Sequence, residues 1–335
     1  MNSTSPRRRR LTPIALLAAL TAVGLVMAGC SATPSGTSTS GTSFKIGVFE
    51  VAQADLIDGV VTAFEKSVKK ELGSDVTVTF DLQNANGDQS LTASLARDFA
   101  SSDDDAFAVV GTPAVIALAQ QIKDKPIFAL AMGDPVGAGL AKSLEKPGGN
   151  VTGSIDYVEP ALLLDKMLKI QPGLKSVGTV YDPSNQNMQV WVTALKKAAA
   201  KAKLTVTEST ISGASDVAQA ARSLNGRADS VLIGPDAVVV AGLDAVTAAT
   251  TGSGTALYLS GGDASVTGVL ASIGPDYPLT GTSAGKIAAK VLLGADPATT
   301  AFAVPTGLDV TINSATAKKL GLTVPQDVLD SATVL

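Results

Sequence analysis

The sequence predicts an α/β protein made of two doubly wound parallel-sheet lobes, and three observations predict it. Short β-branched runs alternate with amphipathic stretches, as buried parallel strands and their crossover helices do. The same order of runs occurs twice along the chain. The 335 residues also leave roughly 290 beyond an N-terminal leader, enough for two medium units.

In the first half, the strand candidates are FKIGVFEV at 44–51, VTVTFDL at 76–82, FAVVG at 107–111 and PIFALAM at 126–132. Helical spacing fills 55–72, 88–102 and 113–123 between them. The second half repeats the order with SVGTVYD at 176–182, a helix at 187–203, LTVTEST at 204–210 and a helix at 215–224. SVLIG at 230–234, a helix at 237–250 and ALYLS at 256–260 complete it. GTPAVIALA at 111–119 and GPDAVVVAG at 234–242 hold the same place in each half, a turn leaving the third strand and opening a helix. Such alternation builds a doubly wound sheet. Two facing sheets turn their strand carboxyl ends toward one crevice, where open α/β sheets bind ligands.

Ahead of the first strand, Arg7 to Arg10 precede the apolar run LTPIALLAALTAVGLVMAG, and the chain's single cysteine, Cys30, follows it. A basic start, a short apolar core and small residues before a cut site read as an export signal over 1–29. Ala28-Gly29-Cys30 resembles the lipobox of bacterial lipoproteins, with Met27 where that motif usually has Leu. Cys30 is thus the predicted diacylation site, and the Ser/Thr/Gly-rich residues 30–43 a flexible tether. The arginine run leaves the export route, general secretion or twin-arginine, open. Cleavage removes the four arginines and no acid, deepening a formal net charge of −4. Nucleic acid is therefore not an expected partner.

The chain has no histidine. With Cys30 consumed by the anchor, Ser-His-Asp and Cys-His catalysis, imidazole- or thiolate-based zinc sites and disulfides are excluded. No phosphate loop is present: GTSAGKI at 281–287 is one residue short of the required spacing, and GAGLAK at 137–142 lacks the third glycine of a dinucleotide fingerprint. Both read as helix starts. No cofactor is expected.

DPVGAGLAKSLEKPGGNVTGS at 134–154, QNANGDQS at 83–90, GTPA at 111–114, VYDPSNQN at 180–187 and LTVPQDVL near the end carry a resemblance. From Phe44 to Leu335 the chain resembles the substrate-binding lipoproteins of ABC transporters, in the branch associated with tryptophan and other aromatic amino acids. The resemblance implies a type I periplasmic-binding fold with hinge crossings near 150–155, 273–277 and 309–313. Lobe 1 is then 44–152 with 275–310, and lobe 2 is 153–274 with 311–335, with the helix at 279–293 returning to lobe 1. It also implies a monomeric, membrane-tethered receptor that captures a small solute, expected to be an aromatic or large apolar amino acid, and hands it to an ABC permease without chemistry on it. A sensor module serving a signalling partner is the alternative, and a carboxylate-dependent hydrolase a more distant one. The chain departs from the family pattern at Gln53-Ala54, where a Glu-His pair is common, and at Gly234-Pro235-Asp236-Ala237, where a PTDN turn is common.

The candidate ligand contacts stand at strand ends. Thr112 and Pro113 open a helix, whose unpaired N–H groups suit a carboxylate, although Thr112 serves equally as a plain N-cap. Asp236 and Asp263, after strands of the second half, are candidates for an α-ammonium partner or for turn caps. Asp134, Asn185 and Asp156 stand at strand ends or just past a crossing, and Gln53 follows the first strand. Tyr181 is the candidate stacking ring, whereas Trp191 has core spacing in a helix.

Overall fold

The sheet of the first lobe has the order β2-β1-β3-β4-β5, all parallel. Its chain runs β1 (Ser43–Glu50), α1 (Asp55–Leu72), β2 (Thr77–Asn84), α2 (Gln89–Ala100), β3 (Ala106–Val110), α3 (Thr112–Gln121), β4 (Ile127–Met132) and β5 (Val151–Ile155). The computed structural model describes residues 42–305 and 307–335, so the predicted signal, Cys30 and almost all of the tether lie outside the described residues. The second sheet is built from β6 (Ser176–Tyr181), β7 (Thr205–Thr210), β8 (Ser230–Ile233), β9 (Ala256–Leu259), β10 (Val269–Gly274), β11 (Asp309–Ile312) and β12 (Thr333–Val334). Its order is β12-β11-β10-β9-β8-β6-β7, with only the β10–β11 pair antiparallel.

The continuous apolar strands are buried on both faces, as helix-covered parallel strands must be. In the first sheet Ile46, Ala108 and Phe128 pack against α1, while Phe107, Val109 and Ile127 pack against α2 and α3. The second sheet is covered on one face by α4 (Pro160–Ile170) and α5 (Gln186–Lys201), where Trp191 is fully buried as its spacing predicts. On the other face lie α6 (Val217–Arg222) and α8 (Leu243–Ser253), the latter preceded by the short α7 (Ala237–Ala241). The helix expected over 237–250 is thus two. They meet at Gly242, where a β-carbon would stand 2.8 Å from a Val217 methyl.

The chain passes between the sheets after β5, after β10 and before β11. After the second passage α9 (Tyr277–Leu292) packs along α1 of the first lobe, and after the third β11 leads into α10 (Ser314–Lys319) and α11 (Gln326–Leu329). Two motifs need correction here. GTSAGKI lies inside α9 rather than at its start. Its glycines let two helices touch: a β-carbon on Gly281 would lie 2.2 Å from the Val60 carbonyl oxygen, and one on Gly285 would lie 2.6 Å from Ser67 Cβ. GAGLAK is a turn following β4, with Gly139 at φ 71°, and opens no helix. β10 and α4 have no counterpart among the sequence-predicted elements, and 150–155, read only as a crossing, contains the edge strand β5.

Candidate ligand-binding cleft

A cavity of about 360 Å³ lies between the carboxyl ends of the two sheets. That is the size of a small-molecule site, for which ~300–1,000 Å³ is usual. Its apolar wall includes Val51, Leu56, Ile57, Val110 and Ile116 from the first lobe and Val238 from the second. Five residues singled out in the sequence reach it: Thr112, Pro113, Asp156, Asn185 and Asp236.

Thr112 is set by a tight turn. Gly111 has φ 99°, and a β-carbon there would stand 2.5 Å from Val51 Cγ1, so only glycine lets β3 turn straight into α3. The Gly111 carbonyl accepts from the N–H groups of Ala114 at 3.0 Å and Val115 at 3.1 Å. Thr112, 4 % exposed, makes no side-chain hydrogen bond among the described residues.

Across the cleft, Asp236 caps α7. Its Oδ1 accepts from Val238 N–H at 3.1 Å and Val239 N–H at 3.4 Å, and its Oδ2 from Asp182 N–H at 2.9 Å. Burial pushes its carboxyl up to about 6 against the pull of those donors. Asp182 Oδ1 accepts from Ser184 N–H at 2.8 Å, and Asn185 Oδ1 accepts from Asn187 N–H at 3.1 Å to cap α5. Each of these groups anchors a helix start or turn on the cleft floor.

Asp156 is different. It stands on the first passage between the sheets, and its N–H donates to the Met132 carbonyl at 3.2 Å. Its Oδ2 accepts from Tyr277 O–H at 3.2 Å, whereas its Oδ1 is buried without a partner among the described residues. Burial lifts this carboxyl to about 6, opposed by the tyrosine hydrogen bond, and burial beside the Asp156 charge holds the Tyr277 phenol well above its ordinary range. Asp156 thus lines the cavity as a buried carboxylate, with Oδ1 unpaired among the described residues.

The two lobes touch at the cleft rim. Gln89 Nε2 donates to Ser184 Oγ at 2.7 Å and to Asp182 Oδ2 at 3.3 Å, and Gln186 Nε2 donates to the Gly137 carbonyl at 2.7 Å. Asn187 lies so close to Gly133 that a β-carbon there would fall 1.6 Å from its Oδ1.

Four sequence candidates lie outside the cavity lining. Gln53 projects into solvent from the turn after β1. Asp134 Oδ1 accepts from Gly137 N–H at 2.8 Å, closing its own turn. Tyr181 is buried in the second-lobe core and its hydroxyl donates to Glu208 Oε2 at 2.8 Å, so its ring is not free to stack. Asp263 is committed to Ser265, at 2.7 Å from both its N–H and its hydroxyl. Conversely, Gln89, Asp182, Ser184, Asn187 and Tyr277 line the cavity without having been singled out. Three of these lie in VYDPSNQN, where a turn-rich run directly after a strand marks the carboxyl end of β6.

The model of the family described as ABC transporter substrate binding protein matches residues 45–335. A tyrosine-binding protein of Clostridioides difficile (strain R20291) is 32% identical over 279 residues, covering 83% of this chain and 81% of that one. Among solved structures, an ABC domain from Streptococcus pneumonia in complex with L-Trp superposes with a TM-score of 0.83 at 30% identity, over 88% of this chain and 100% of that one. The ligand-free, open structure of a substrate binding protein with adhesive properties from Clostridium difficile gives a TM-score of 0.62 at 31% identity, over 87% and 99% of the two chains. Fold, cleft and similarity agree: the chain belongs to the ABC transporter substrate-binding proteins, an extracytoplasmic and non-enzymatic family with the type I periplasmic-binding fold.

Proposed function

We propose that this protein captures an aromatic or large apolar amino acid in the cleft and delivers it to the transmembrane subunits of an ABC permease, as a monomer held at the outer face of the cell membrane by diacylated Cys30. The observation that carries the reading is the cavity itself, apolar along one wall and closed by residues of both lobes. The L-Trp complex and the tyrosine-binding relative support the ligand class. In this reading Asp156 receives the α-ammonium group, Thr112 receives the carboxylate, and Asp236 and Asn185 hold the floor in shape. The bounds read from the sequence, 44–152 with 275–310 for lobe 1 and the remainder from 153 for lobe 2, shift by a few residues: β5 keeps the chain in lobe 1 to Ile155, and β11 puts it in lobe 2 from Asp309.

Delivery requires closure on the ligand, and a ligand drives closure only as far as it binds the shut form better than the open one. Contacts from both lobes supply that difference. The better superposition on the L-Trp complex than on the ligand-free, open structure, at nearly equal identity, supports a shut cleft here, as do the rim hydrogen bonds. The test is a thermal-shift series over the common amino acids, in which L-tryptophan, L-tyrosine or another large apolar side chain gives the largest rise in melting temperature. A response confined to sugars or nucleosides would overturn the ligand class.

A further inference from the structure

The charge of the cleft is one-sided. Asp156, Asp182 and Asp236 line it, no lysine or arginine among the described residues does, and the chain has no histidine. Asp236 has both oxygens engaged by backbone donors, and Asp182 receives Ser184 N–H and Gln89. Among the described residues Asp156, 6 % exposed, keeps Oδ1 without a donor, and Asn187 Oδ1, also buried, lacks one too. Both sit against the end of β4, through Met132 and Gly133 respectively. The unmet need is thus for a donor carrying positive charge.

Donors for an anion are neutral by comparison. The Val238 and Val239 amides of α7 are taken by Asp236, Asn187 N–H by Asn185, and those of Ala114 and Val115 by Gly111. What remains is neutral: the Thr112 hydroxyl and the side-chain amides of Gln120, Asn185 and Asn187. A hydrogen bond between ionised partners is roughly twice as strong as a neutral one, and a ligand carboxylate here also faces three acids of its own sign.

We propose that the cleft is an ammonium-selecting site: the cationic amine is the group that it requires, and the ligand carboxylate is dispensable. Aromatic amines without a carboxylate, and amino-acid esters, are then ligands alongside the free amino acids. This rests on the amino-acid reading only for the choice of apolar body.

Calorimetric titration of the full-length protein in detergent at neutral pH tests it with L-tryptophan, L-tryptophan methyl ester, tryptamine and indole-3-propionate. Tryptamine and the ester bind within about tenfold of L-tryptophan, and indole-3-propionate binds at least a hundredfold more weakly. Asp156→Asn lowers tryptamine affinity at least tenfold while the variant melts as a folded protein. The proposal falls if indole-3-propionate binds within tenfold of L-tryptophan, if tryptamine loses a hundredfold, or if neither amine nor ester binds. Should amines bind and amino acids not, the amino-acid reading falls and the ammonium site stands. Should amino acids bind and amines not, the reverse holds.

Discussion

Asp156 lines the cleft as a buried carboxylate with one oxygen unpaired among the described residues. A buried carboxylate with one oxygen unpaired destabilises the charged form, which is why its pKa rises from 3.8 to about 6. The folded state therefore binds a proton more readily than the unfolded state. This contribution to stability is full below pH 4 and is lost as pH rises through about 6. Asp156→Asn removes the charge and keeps the shape, so at pH 7.5 the ligand-free variant unfolds at higher urea concentration, by about 1–3 kcal/mol, and at pH 4 the difference disappears. Ligand-induced stabilisation is lost in the same variant. Equal urea midpoints at both pH values would show that the carboxylate is compensated. Asp236 has a similar pKa but three backbone donors, so its charge serves the start of α7 and the turn at Asp182. Sequence reading named both aspartates because each follows a strand or crossing. It put Asp236 and Asp263 ahead of Asp156 as the ammonium partner, because the backbone amides that fold back onto Asp236 are not visible in sequence. Nor does the sequence show that Asp134 and Asp263 bond groups two or three residues away, or that Asp182 meets Gln89, which is distant in sequence.

At the scale of elements, the strands were legible because burial on both faces leaves an unbroken apolar run, as in β3 and β4. Elements defined by a remote partner were not. β5 joins the first sheet beside β4, yet its sequence VTGSI contains Gly153, whose β-carbon would stand 2.1 Å from the Ala129 carbonyl oxygen. The glycine that hides the strand in sequence is the one that permits the close approach. Likewise Gly281 and Gly285 resembled a loop motif only because the helix against which they pack, α1, lies more than two hundred residues earlier. This fixes a prediction. Gly281→Ala places a methyl group against the Val60 carbonyl, where helix backbone must move, and overpacking of this kind costs about 1–3 kcal/mol. Because α9 also carries Tyr277 to Asp156, ligand affinity falls along with the melting temperature. A variant that melts as the parent does would mean that α1 and α9 can separate freely.

For the whole molecule, position and closure are separate requirements. In the proposed reading position depends on Cys30: Cys30→Ala is exported and recovered in the soluble fraction, because two acyl chains give the stable anchoring that one barely provides. Retention in the membrane fraction would assign the anchor elsewhere. Closure depends on how much the rim favours the shut form before any ligand arrives. Gln89 and Gln186 donate across the cleft to Ser184 and the Gly137 carbonyl, and these bonds exist only when the lobes meet. Each contributes about 1 kcal/mol net, so Gln89→Ala or Gln186→Ala shifts the open–shut equilibrium roughly fivefold toward open. A site competent only when shut loses affinity in proportion to the population that it no longer holds. Each variant should thus bind up to about fivefold more weakly. In small-angle scattering the ligand-free variants show a larger radius of gyration than the parent, and saturating ligand returns all three to one value. The two readouts together separate rim from site. Weaker binding with unchanged ligand-free scattering would make the glutamines ligand contacts, whereas larger ligand-free dimensions with unchanged affinity would show that binding proceeds without closure.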